Sequence, residues 1–397
     1  MHVSERFSNL PEYAFPRLRA LLDPVAPSGA PLAMSLGEPK HAFPPFVAET
    51  LHRVVADFGK YPVNNGTPAL AQAQADWVAR RYGVTLDPEQ NFLTLNGSRE
   101  GLFNACLALC PAQKGGKRPV VLVPNPFYQV YAVAAAATDA ELVFVPATKE
   151  TGFLPDYQAL APDVLDRTSI LYICSPSNPQ GAVASRAYLA GLLALAEKHD
   201  FRIFADECYS EIYRDAPPTG MLSIVKEAVA DPERVIVFHS LSKRSNLPGL
   251  RAGFAAGGAQ SIAALQKLRA YAGAPVPDPL QAVAAEVWAD EAHVVENRAL
   301  YQEKYQAADA IFADVAGYTP PEAGFFLWLE VAADEAATLE LWRRAGIRVL
   351  PGSYLARDTN EGNPGQRYIR VAMVAPKDDM CRGLQGIKEI LFTGRQR

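Results

Sequence analysis

Lys243 closes the segment Ser240-Leu241-Ser242-Lys243, directly after the apolar run Val235-Ile236-Val237-Phe238-His239. A branched apolar run of this length reads as a buried strand, so the lysine is delivered from the interior of a sheet to its edge. An amine held there loses hydration, which favours its neutral form, and a neutral amine attacks an aldehyde to form a Schiff base. Taken alone the motif is short, and a surface lysine after a strand is the ordinary explanation.

Neighbouring segments add groups that such chemistry needs. The run Ile170-Leu171-Tyr172-Ile173-Cys174 leads into Ser175-Pro176-Ser177-Asn178-Pro179-Gln180-Gly181, a strand followed by a tight turn, and ligands of α/β sheets bind at that edge. Arg202-Ile203-Phe204-Ala205 runs into Asp206-Glu207-Cys208-Tyr209, which ends a buried strand on an acid. A buried acid needs a partner, and a ring nitrogen that the carboxylate keeps protonated is one. Glu207 falls on the opposite side of the strand and is expected to be structural. Asn178 and Tyr209 could both hydrogen-bond a phenolic oxygen on the same ring. The turn Asn96-Gly97-Ser98-Arg99-Glu100 opens a helix, whose N-terminal amides favour an anion such as phosphate. Ser240, Ser242 and Arg251 add hydroxyl and cationic contacts from a second segment.

These residues hang on an α/β pattern. Strands are expected over 91–95, 120–124, 141–145, 169–174, 202–205, 235–239 and 252–256, with helices near 99–109, 128–137, 186–199 and 260–271. After Pro277 a long helical pattern runs through Trp288 and Tyr305. A strand at 325–329, a helix at 337–345 and strands at 348–350 and 368–372 follow. The Pro-rich first 45 residues cannot form a domain alone. The expected division is therefore an arm over 1–45 packing on the small domain and closing over the site, a large domain over 46–290 and a small α+β domain over 291–397.

With 38 Lys and Arg against 43 Asp and Glu in 397 residues, there is no basic excess to neutralise a nucleic-acid backbone. No apolar run approaches membrane-spanning length and the N-terminus lacks a signal core, so a cytoplasmic location without membrane or nucleic-acid partners is expected. Cys106, Cys110, Cys174, Cys208 and Cys381 show no CxxC spacing, and no paired histidines occur, so no metal is expected and the thiols are expected reduced. Cys106 and Cys110, one helical turn apart, read as a packed face.

The motifs SPSNPQG, ADECYSEIY and SLSKRSNLPGLRAGF, in this order and spacing, resemble the class I/II aminotransferases of fold type I, and the likeness spans nearly the whole chain. The resemblance implies a mostly parallel seven-stranded large domain plus a smaller α+β domain. It also implies pyridoxal 5′-phosphate (PLP) carried by Lys243, with Asp206 at the ring nitrogen and cofactor contacts from Gly97, Ser98, Arg99, Asn178, Tyr209, Ser240, Ser242 and Arg251. Tyr128, in NPFYQVY, matches the aromatic residue that stacks on the ring. Tyr61, in KYPVNNG, matches a tyrosine reaching the neighbouring subunit's phosphate, which implies a homodimer with shared sites. Arg370 in YIRV and Gly37 in SLGEPKHAFP match contacts to the substrate α-carboxylate, joined by Asn178.

Within the family, GEPKHAFP, NPFYQVY, ADECYSEIY and GFFLWLEV are similar to bacterial N-succinyldiaminopimelate aminotransferases of lysine biosynthesis. The resemblance then implies exchange of an amino group between glutamate and an N-succinylated amino-oxopimelate, with Arg6, Arg17 and Arg357 as candidates for the carboxylated tail. Aspartate or aromatic aminotransferases share the same cofactor residues. A PLP-dependent β-lyase, a PLP-sensing regulator and a catalytically silent scaffold are further possibilities of lower standing.

Overall fold

A computed structural model describes residues 5–8, 10 and 12–393, without the Arg6 side chain. Seven strands form one sheet in the order Phe92–Leu95, Gly253–Gly257, Val235–Ser240, Arg202–Asp206, Thr168–Cys174, Val120–Asn125, Glu141–Pro146. Only Gly253–Gly257 runs antiparallel to its neighbours. Two reversals restore direction, so Phe92–Leu95 points the same way as the five parallel strands. Five chain segments therefore leave the sheet at one edge and carry Asn96 to Arg99, Tyr128, Asn178, Asp206 and Lys243 there. The expected mostly parallel α/β sheet is present, each strand within two residues of its anticipated ends.

The strands are nearly continuous in apolar residues because helices cover both faces. Alternation sorts their side chains: Ile203, Ala205, Val235 and Val237 join the core under the helix Pro68–Tyr82, whereas Phe204, Ile236 and Phe238 join the core under the helices Ser98–Leu109 and Gln129–Ala137. Burying side chains of this size contributes roughly 1.5–3 kcal/mol each. Local signals set the helix ends. Thr67 caps Pro68–Tyr82 through the backbone N–H of Leu70, and Gly83, at φ 67°, ends it in the left-handed conformation.

The C-terminal part differs from expectation in two places. The helical pattern after Pro277 is two helices, Asp278–Ala289 and Ala292–Phe312, broken where Asp290 turns extended and its carboxylate accepts from the backbone N–H of His293 at 3.1 Å. The strand expected over 348–350 is split between two sheets. Ile347–Arg348 pairs in parallel with Leu32–Ala33 of the arm, and Leu350–Pro351 pairs with Tyr368–Ala372, which also pairs with Phe326–Glu330. Further up the arm, Leu18 and Leu22 of the helix Ala14–Leu22 pack with Trp342, Leu350 and Tyr354. Among the described residues no helix is long and apolar enough to cross a membrane.

Candidate active site

A cavity of about 360 Å³ opens at the sheet edge, lined by the strand-end residues together with Tyr13, Phe15, Leu36 and Gly37 of the arm and Arg370 of the C-terminal sheet. At its centre the Lys243 amine donates to the backbone carbonyl of Gly37. Burial pushes this amine down to about 8, with Arg370 and Arg251 lowering it further and Cys208 and Glu38 opposing.

Asp206 lies on the cavity wall and is 6% exposed. It shares the strand parity of Phe204, so it faces the helix Gln129–Ala137, and Tyr131 donates its hydroxyl to Asp206 Oδ2 at 2.7 Å. The backbone N–H of Cys208 donates to Oδ1 at 3.3 Å. Burial raises the Asp206 carboxyl, and these donors oppose the rise. Glu207 has the other parity. Its carboxylate accepts from the backbone N–H of Met221 at 2.8 Å and lies 3.2 Å from His239 Nε2, away from the cavity, as its structural assignment required.

Arg370 donates to Asn178 Oδ1 at 3.0 Å and to the carbonyl of Ser35 at 2.7 Å, and its guanidinium lies 4.3 Å from the Phe326 ring centre. Asn178 in turn donates to the Tyr209 hydroxyl at 3.4 Å. Burial lowers Arg370 to about 10, so it remains a cation at neutral pH, and its Nε is buried without a partner among the described residues. Gly37 has no room for a side chain, because a Cβ there meets the Phe326 ring.

At the other end Gly97, at φ 81°, precedes the helix Ser98–Leu109, and Arg251 occupies the space a Gly97 Cβ would take. Arg251 donates to the carbonyls of Pro248 at 2.9 Å and Asn96 at 3.3 Å. Ser240 caps the turn that carries Lys243, accepting from the backbone N–H of Ser242 at 3.1 Å, with the two hydroxyls 2.9 Å apart. The Cys208 thiol lies 3.2 Å from the Ser98 hydroxyl. Ser98, Ser240, Ser242 and Arg251 thus form one cradle of hydroxyls, helix-start amides and a cation, suited to a phosphate.

Arg99 stands at the mouth, exposed, donating through Nε to the Tyr128 hydroxyl at 2.6 Å. Among the described residues no carboxylate pairs with Arg99, Arg251 or Arg370. Three guanidiniums without a carboxylate partner among the described residues are therefore spread over one cavity. Two of the three tail candidates do not join them. Arg17 lies between Glu12 and Glu335 at 3.6 and 3.7 Å and over the Tyr354 ring, and neither it nor Arg357 lines the cavity. The Arg6 side chain is outside the described residues. Tyr61 is fully exposed and does not line its own chain's cavity. Tyr131 and Tyr13 escaped the sequence analysis. The NPFYQVY motif held a signal for Tyr131, a second tyrosine three residues after Tyr128.

Residues 31–387 match the family model for aminotransferase class I and II. The chain belongs to that family. The family is PLP-dependent, and this aminotransferase is a PLP-dependent transaminase. Its cavity fits the cofactor on its own evidence, since a buried amine, a buried acid and a phosphate cradle surround one space. A relative from Dehalococcoides mccartyi, an LL-diaminopimelate aminotransferase, is 32% identical over 393 residues, covering 97% of each chain. A crystal structure of an aminotransferase from Neisseria meningitidis superposes with TM-score 0.93 at 36% identity, covering 98% of this aminotransferase and 100% of that chain. A probable N-succinyldiaminopimelate aminotransferase from Thermus thermophilus superposes with TM-score 0.84 at 25% identity, covering 95% and 100%.

Proposed function

We propose that this aminotransferase exchanges an amino group between glutamate and a long dicarboxylic substrate of the diaminopimelate type, carried as its N-succinyl derivative. The observation that carries the reading is the set of three cavity arginines without carboxylate partners. Arg251 serves the cofactor phosphate, Arg370 with the Gly37 backbone serves the substrate α-carboxylate, and Arg99 at the mouth serves a distal carboxylate. We assign Arg99 to this distal end in place of the cofactor contact expected from the sequence.

Bound PLP supplies an aldehyde that captures amino groups and a ring that accepts the electron pair left by a departing α-proton. Lys243 would hold the cofactor, and its Nζ would take the substrate α-proton; its lowered pKa suits a base near neutral pH. Asp206 would hold a proton on the ring nitrogen, Asn178 and Tyr209 would donate to the phenolic oxygen, and Tyr128 would pack on the ring. Ser98, Ser240 and Ser242 complete the phosphate cradle, which Tyr61 of a second subunit joins in a homodimer. The full exposure of Tyr61 and the exposed apolar side chains of Val55, Phe58 and Val63 beside it support that assembly.

The lining also bears on the N-succinyl group. A free second ammonium calls for an acid, but the carboxylates lining the cavity are Asp206 and Glu38, and Glu38 is paired with Lys40 at 2.5 Å. Aromatic and aliphatic groups, Tyr13, Phe15, Leu36 and Leu355, line the same cavity as Arg99 instead, which suits an acylated amine with a carboxylated tail. The name of the Dehalococcoides relative favours a second reading, in which unacylated LL-diaminopimelate is the substrate.

Half-reaction spectroscopy separates the readings. Glutamate should convert the PLP form to the amine form, and N-succinyl-amino-oxopimelate should restore it faster than oxaloacetate, an aromatic 2-oxo acid or the unacylated substrate. Arg99→Gln should slow that return by about 10- to 100-fold, as expected for a lost charge-assisted contact, and leave short monocarboxylic acids unaffected. Equal rates for all acceptors in the wild type would overturn the assignment.

A further inference from the structure

Tyr131 sits at the point where the helix Gln129–Ala137 faces the end of the strand Arg202–Asp206, 75 residues away in sequence. Its hydroxyl is aimed rather than free. The ring stacks on Tyr172 with centroids 4.5 Å apart and planes 15° apart, and Tyr172 is itself anchored by its hydroxyl on the carbonyl of Leu102 at 2.7 Å. Both tyrosines are fully buried, so neither phenol has water to turn to.

The acid that receives this bond lacks a full counter-charge. Among the described residues no lysine or arginine lies within ion-pair distance of Asp206. The titratable groups facing it are Tyr131 and Tyr128 from the helix and its cap, Cys174 and His239 from the two adjoining strands, and Cys208 and Tyr209 from its own loop. Against that setting the 2.7 Å phenol bond is shorter than the bond from the Cys208 N–H at 3.3 Å, and the Cys208 thiol is a further group that favours the anion. Hydrogen bonds to an ionised acceptor are about twice as strong as neutral ones, and removing one from a buried carboxylate leaves its desolvation uncompensated.

We infer that Tyr131 is a positioning residue of this site, whose phenol orients the Asp206 carboxylate toward the cofactor ring nitrogen and keeps it an anion. This inference rests on the proposed role of Asp206. Tyr131 does not touch the reacting atoms and acts through Asp206. The sign is fixed: without the phenol the carboxyl binds its proton more tightly, so the anion survives only at higher pH and the ring nitrogen is less firmly protonated.

Tyr131→Phe tests this, since it keeps the ring and the stack. In cofactor-free protein labelled with ¹³C at aspartate carboxyls, with Asp206→Asn to assign the signal, the Asp206 titration midpoint should rise by about one pH unit. In protein reconstituted with ring-¹⁵N PLP, the nitrogen resonance should move toward its unprotonated position. The glutamate half-reaction should slow about tenfold or more, its acid limb shifted to higher pH. A variant with reduced activity but unchanged Asp206 titration and unchanged ¹⁵N resonance overturns the inference. If Asp206→Asn itself leaves the ring nitrogen unchanged in otherwise wild-type protein, the assignment of Asp206 fails, which is a distinct result.

Discussion

The Lys243 amine and the Gly37 carbonyl, 206 residues apart in sequence, are joined by a hydrogen bond inside the cavity. The amine is nevertheless short of solvation, and this lowers it from the ordinary 10.5 to about 8. Cofactor-free protein at pH 7 therefore holds a buried cation at a cost. Between about 8 and 10.5 the unfolded chain binds a proton that the folded chain has released, so this lysine makes the protein more stable as pH rises through that window. Lys243→Met should raise the melting temperature of cofactor-free protein by a few degrees at pH 7. The gap should narrow steadily from pH 8 to pH 10, and scanning calorimetry across that range would contradict the burial argument if the gap stayed constant.

Arg370 meets three partners at once: Asn178 Oδ1, the Ser35 carbonyl and the Phe326 ring. A lysine there keeps the charge but loses the planar fork and the stacking. Arg370→Lys should raise the KM for glutamate by about 10- to 100-fold and change the absorbance of the bound cofactor little. Comparable loss in KM and in cofactor affinity would place the arginine elsewhere in the chemistry.

Gly97→Ala is a small change at a crowded point. The new Cβ would occupy the position of the Arg251 guanidinium, and the backbone there, at φ 81°, disfavours any side chain. Arg251 must swing off the cradle. PLP affinity, measured by equilibrium dialysis, should fall at least about tenfold, whereas Gly83→Ala, in open space, should leave it unchanged.

Tyr61 permits a subunit-complementation experiment. Lys243→Ala and Tyr61→Ala homodimers should each be nearly inactive, because each lacks one part of every site. Mixed dimers contain one site with both defects and one with neither, so remixing equal amounts should restore roughly a quarter of wild-type activity. Absence of recovery, with dimers present by light scattering, would show that Tyr61 serves its own chain.

Much of this was legible in the residues. The sheet could be located because its strands are covered on both faces and read as unbroken apolar runs, and the residues that follow those runs necessarily share an edge. Lys243, Asp206, Asn178 and the turn at Ser98 meet in one cavity for that reason. What escaped depends on non-local facing. Tyr131 meets Asp206 only because Asp206 shares the parity of Phe204 and the helix of Tyr131 covers that face. The direction of Arg99 toward Tyr128 is a rotamer choice made across 29 residues of sequence. The helix break at Asp290 had no glycine or proline at the break itself, and the split at Val349 followed from two sheets competing for one extended segment. Periodicity cannot show any of these, since each is decided by a distant neighbour.

The short parallel pairing of Leu32–Ala33 with Ile347–Arg348 continues as the Ala372 N–H donating to the Met34 carbonyl at 2.7 Å and Arg370 donating to Ser35. Gly37 and Arg370 are thereby tied into one set of paired segments, although they lie at opposite ends of the chain. The distance between Arg370 and Lys243 is thus set by how this tied pair of segments seats against the seven-stranded sheet, through the bond from the Lys243 amine to the Gly37 carbonyl.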